Sequence, residues 1–88
     1  MNTGQIAWRL ADELTPRLAA VERATAFVEL GSGDDWSAIN LMLTLAVRGR
    51  LVLSEALRSD LVGWLNEHTA NPDSEAIGAL LAQVHRRG

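Results

Sequence analysis

Apolar residues recur along this chain at helical spacing, and turn signals divide the pattern into five segments. In the first, about residues 4–14, Ile6, Leu10 and Leu14 share one stripe of the 3.6-residue repeat with Ala7 and Ala11. Asn2 and Thr3 stand before it as capping residues. Thr15–Pro16 reads as an N-cap with Pro at the first helical position, so a second helix is expected over about 16–30, or a kink in one long helix. Its expected buried stripe is Val21, Ala24 and Val28, flanked by Ala20 and Phe27, with Glu22, Arg23 and Glu29 outside.

Gly31–Ser32–Gly33–Asp34–Asp35 is the clearest break. The glycines end one helix, Asp34 caps the next, and Asp35 suits the positive first turn. The third helix, about 35–48, has only a narrow polar face of Ser37, Asn40, Thr44 and Arg48. A helix apolar over most of its circumference is central in its bundle or keeps a face for a partner. Gly49 is expected at a left-handed cap. Leu51–Val52–Leu53 is a connector and Ser54 an N-cap. A fourth helix, about 55–69, buries Leu57, Leu61, Trp64 and Leu65. Asn71–Pro72–Asp73 opens a fifth, about 72–86, which buries Ile77, Leu80, Leu81 and Val84 and ends on Arg86 and Arg87. No segment alternates with period two over a strand's length. The expectation is one all-α domain over residues 1–88, a compact bundle of five helices, or six if the first divides at Pro16.

Composition narrows the chemistry. All eight basic residues are Arg against 11 acids, for a net charge of −3. There is no Lys, Cys or Tyr. Without Cys there is no disulfide scaffold, thiolate zinc site or Cys nucleophile. Without Lys there is no phosphate-binding loop of the Walker type. Apolar runs are a few residues long, against the roughly 20 needed to cross a bilayer. The N-terminus lacks the basic start and apolar core of a secretory signal, so a cytoplasmic location is expected.

The two histidines, His68 and His85, have no spacing that puts two ligands on one helix face, and each reads as structural. Asp12–Glu13 and Asp34–Asp35 are adjacent pairs whose side chains diverge by about 100° along a helix. No Ser lies in a nucleophile-elbow context. No enzyme activity, cofactor, metal or small-molecule substrate is therefore expected. Nucleic acid is not expected as a partner either, because the fourth and fifth helices lack a row of basic side chains. Nor is a membrane surface, given the acidic balance. Trp8 lies roughly 140° from the centre of the first helix's stripe. It is either an exposed binding anchor or a ring folded over a neighbouring loop.

Taken together, the Asp34–Asp35–Trp36 start, the apolar Ile39–Val47 segment, Arg48–Gly49–Arg50, the Leu57–Leu65 stripe and Asn71–Pro72 resemble the death-fold superfamily. That superfamily includes the caspase-recruitment type and the bacterial effector-associated adaptor domains. A kink at Pro16 also suits the caspase-recruitment type. The resemblance implies a protein-interaction module that recruits or clusters an effector by association with itself or with a similar helical domain. An Arg patch on one copy would meet an acidic patch on another. Arg48, Arg50 and Arg58 are the expected basic contacts, and Asp34, Asp35, Glu22 and Glu29 the acidic ones, with Trp8 as an anchor. Two other readings stay open: an acidic immunity or antitoxin-type inhibitor, and a small helical nucleic-acid-binding domain.

Overall fold

A computed structural model describes residues 2–84. The described residues form five α-helices: α1 (Thr3–Leu14), α2 (Ala20–Gly31), α3 (Asp35–Arg48), α4 (Glu55–Asn66) and α5 (Ser74–Gln83). The all-α bundle of five helices expected from the sequence is the observed architecture. Helix α1 starts on a reciprocal cap: Asn2 Oδ1 accepts the Gln5 N–H, and Gln5 Oε1 accepts the Asn2 N–H. Its buried residues are the five of the expected stripe, Ile6, Ala7, Leu10, Ala11 and Leu14.

The second helix differs from expectation. Thr15 does not cap it; its hydroxyl donates back to the Ala11 carbonyl at 2.8 Å. Pro16 lies instead in a single 3₁₀ turn, Thr15–Arg17, and Leu18 and Ala19 run extended before α2 begins at Ala20. The start is fixed by Glu22, whose Oε1 accepts the Ala19 N–H at 3.0 Å. The helix buries Ala26 and Leu30. Val21, Ala24 and Val28, expected inside with Ala20 and Phe27, all lie exposed. Small Ala26 lets the backbone of α2 approach the bundle closely, and Leu30 fills the space one turn on. That face packs on α3, while the bulkier valine row turns outward.

Helix α3 is the centre of the bundle, packing against α1, α2 and α5. It buries Ala38, Ile39, Met42, Leu43, Leu45 and Ala46. Asp34 caps it as expected, and Gly33 before it takes a left-handed φ of 85°. At the other end the left-handed residue is Arg50, with φ 53°, and not Gly49, with φ −85°. An Arg in this conformation is uncommon. The Leu51 N–H bonds to the Ala46 carbonyl and closes the helix end around it.

Ser54 caps α4, its hydroxyl accepting the Leu57 N–H at 3.2 Å. Helix α4 stops at Asn66, short of the expected 69, and residues 67–70 follow as turns. Helix α5 is shorter at its start than expected: Asn71 Oδ1 accepts the Asp73 N–H in a local turn, and the helix begins at Ser74. Val84 caps its end. His85, Arg86 and Arg87 lie outside the described residues. One aromatic cluster joins α3 and α4. The Trp36 and Trp64 rings lie 4.6 Å apart, and His68 sits against both. His68 Nδ1 bonds to the Trp64 carbonyl at 2.7 Å, and the Trp64 indole N–H donates to Thr3 Oγ1. His68 is thus a packed, locally bonded side chain, as its place in the sequence suggests.

Candidate functional site

The residues expected to carry binding separate into three groups. Arg58 leaves the surface altogether. It is only 8% exposed, and its guanidinium donates to the carbonyls of Leu81 at 3.0 Å and Val84 at 3.5 Å. Those carbonyls close the C-terminal end of α5, where a cation is favoured. Arg58 therefore does not join Arg48 and Arg50 in an exposed basic cluster.

Three of the four acids are occupied locally. Glu22 holds the start of α2. Asp34 accepts the Ser37 hydroxyl at 2.7 Å and the Ser37 N–H at 3.1 Å. The hydroxyl first, and the amide second, hold its carboxyl below the usual carboxylate range. Asp35 is half-buried against the first turn of α1, where a Cβ on Gly4 would stand 3.4 Å from its Oδ2. The two helix starts meet there, and both favour the negative charge.

Glu29 and Arg48 come together. They line one open cleft of about 460 Å³ between α2 and α3, with Thr25, Trp36, Ser37, Asn40, Leu41, Thr44 and Asp73. The narrow polar face of α3 therefore forms the floor of this cleft. Its wall is the row Thr25–Glu29 of α2. The rotation of α2 that exposes the valines is what turns this row toward α3. In the sequence the two rows were readable as Glu22, Thr25 and Glu29 on one helix and Ser37, Asn40, Thr44 and Arg48 on the next. What was missing was that they face each other. Among the described residues no ion pair within 4.0 Å joins Glu29 to Arg48.

Trp8 is an exposed side chain that lies against Phe27 of α2 and not over a loop. It is 48% exposed, and its ring lies 6.3 Å from that of Phe27, itself 43% exposed. The sequence left Trp8 open between an exposed anchor and a ring folded over a loop, and it placed Phe27 beside the buried stripe, where it does not lie. Around α2 at 100° per residue, Ala20, Val21, Ala24, Phe27, Val28 and Gly31 fill an arc of about 120° with no polar member. Every one of the six is exposed, Val21 by 78% and Val28 by 69%. Val28 points directly away from Ala26 and Leu30. This arc and Trp8 make a continuous apolar face across α1 and α2, of the kind that singly scattered surface residues do not make.

Two serines bond to carboxylates: Ser37 to Asp34, and Ser54 to Glu13 at 2.6 Å. Ser54 is itself the cap of α4, and Ser37 donates to Asp34, the cap of α3. No cluster of three potential metal ligands occurs among the described residues. No helix among them is long and apolar enough to cross a membrane. Comparison with protein-family models, with curated proteins and with solved structures gives no significant match.

Proposed function

We propose that this chain is a non-catalytic protein-interaction module that recruits or clusters a partner, acting in the cytoplasm as death-fold adaptors do. The observation that carries this reading is the apolar face of Trp8, Phe27, Val21, Ala24 and Val28. A small domain gains stability by burying such residues, and here another face of the same helix is buried instead. Aromatic side chains left at the centre of an exposed face are typical anchors of protein contacts. Arg48 at the end of α3 and Arg50 on the turn after it, both exposed, and Glu29, which shares a cleft with Arg48, supply charge for orientation. Arg58 has no part in this contact. Glu22, Asp34 and Asp35 are engaged one by one at helix starts and do not form the concentrated acidic face that an inhibitor of a basic toxin needs.

The test is capture of partners from the native cell by immobilised wild-type chain and by Val28→Glu. The retained protein is identified and binding repeated with both components purified. Purified partner that binds the wild type and is lost with Val28→Glu supports the reading. Equal retention by both overturns it.

A further inference from the structure

Arg58 is a buried charge with no opposite charge beside it. It is 8% exposed, and among the described residues it makes no ion pair within 4.0 Å. A charge removed from water is costly unless it is both paired and hydrogen-bonded. The carbonyls of Leu81 and Val84 compensate in part. They carry only the partial negative charge of a helix end, and they take only two of the five N–H donors of a guanidinium. Nε donates to neither of them. Among the described residues no buried side-chain nitrogen or oxygen lacks a partner, so Nε is accessible from outside. The opening that Arg58 lines is a cavity of about 250 Å³ between α4 and α5. Its walls are Val62, Leu65, Leu81 and Ala82, with Asn66 as the other polar side chain. Gly78 keeps it open: a Cβ there would stand 3.4 Å from Leu65 Cδ2. Among the described residues Arg58 is the one charged side chain that lines it.

We propose that this cavity binds a small apolar monocarboxylate, with its carboxylate on Arg58 and its hydrocarbon body against Val62, Leu65 and Leu81. A guanidinium and a carboxylate match as a fork, and their attraction grows where water is excluded. A single Arg calls for a single negative charge. A phosphate or a dicarboxylate would bring a second charge onto an apolar wall with nothing to pair it. A neutral ligand would leave the charge of Arg58 uncompensated. The volume lies just below the ~300 Å³ of the smaller drug-sized pockets, so the ligand is a single ring or a short chain. The cavity belongs to α4 and α5, whereas the face of Trp8 and Phe27 belongs to α1 and α2. Ligand binding here therefore stands apart from the partner contact proposed above.

Titration of the isotope-labelled full chain with benzoate, read by NMR amide shifts, tests this. The expected result is saturable shifts at Val62, Leu65, Gly78 and Leu81, with a Kd on the order of 1 mM or tighter. Benzamide, of the same shape without the charge, should bind about tenfold more weakly or not at all. Val62→Glu changes an exposed residue of the cavity wall and sets a like charge beside the carboxylate. It should keep its helices by circular dichroism and weaken benzoate roughly tenfold. Arg58→Gln should abolish benzoate binding; where it also loosens the end of α5, Val62→Glu still decides. Absence of saturable shifts up to about 10 mM benzoate overturns the proposal. So does benzamide that binds as tightly as benzoate, and so does equal binding of benzoate by wild type and Val62→Glu. Inorganic phosphate that binds the same residues as tightly as benzoate overturns the assignment to an apolar monocarboxylate.

Discussion

Glu13 of α1 reaches the start of α4, 41 residues on, and takes both donors of Ser54: the N–H at 2.8 Å on one carboxylate oxygen and the hydroxyl at 2.6 Å on the other. Ser54 in turn accepts the Leu57 N–H. The helix cap is therefore itself held by a residue from another helix, which fixes how α4 docks on α1. The Arg9–Asp60 ion pair ties the same two helices. Removing Glu13 frees two half-buried donors. Glu13→Ala is expected to cost about 1–3 kcal/mol, measured by urea unfolding. A double-mutant cycle with Ser54→Ala should show the two effects to be strongly non-additive, because both substitutions remove one network. Additive losses would mean that the pair does not act together.

Arg58 makes a second prediction. Its guanidinium is the partner for two carbonyls at the end of α5. Arg58→Ala should destabilise the chain by about 1–3 kcal/mol, with the loss concentrated at that helix end. Hydrogen exchange should speed up at the amides of Leu80–Val84 before it does in α3. Arg48→Ala and Arg50→Ala, at exposed positions, should leave stability within about 0.5 kcal/mol. Equal losses at all three would contradict the separation of Arg58 from the surface cluster.

The cap at α3 gives a pH dependence. Hydrogen bonds from Ser37 lower the Asp34 carboxyl below its ordinary value of 3.8. A carboxyl lowered on folding stabilises the folded chain above its unfolded value, and that contribution is lost as pH falls through the folded value. Asp34→Ala should therefore lower the Tm at neutral pH. The gap to wild type should close as pH drops below 3.8. A gap that stays constant down to acid pH would show that the charge on Asp34 does not contribute.

The orientation of α2 is tested by two opposite substitutions. Ala26 is fully buried and Val21 is the most exposed large apolar side chain. Ala26→Leu overfills the contact with α3 and should cost about 1–3 kcal/mol. Val21→Ser should change stability by no more than about 0.5 kcal/mol. The reverse ranking would restore the face expected from the hydrophobic pattern alone.

The sequence by itself determined the all-α class, a helix number of five or six, most of the helix boundaries and the inner faces of four helices. Those helices announce themselves because each has one apolar stripe, as in Ile6, Leu10 and Leu14, or a distinct cap, as at Asp34 and Ser54. Helix α2 has two competing stripes. The row Val21–Ala24–Val28 is the more hydrophobic, yet Ala26 and Leu30 are buried. Local periodicity ranks a stripe by its own residues, whereas packing ranks it by how closely the backbone approaches its neighbour. The small residue wins when the neighbouring helix is as fully apolar as α3. That choice decides the rest of the candidate site. It sends Glu29 to face Arg48 across a cleft, puts Phe27 beside Trp8, and leaves a valine row in solvent. The fate of Arg58 was equally out of reach, because its partners are backbone carbonyls more than 20 residues away. Trp8 could be placed off the buried stripe because one helix suffices to show which side is outside. Everything that needs two helices at once was decided only by the tertiary structure.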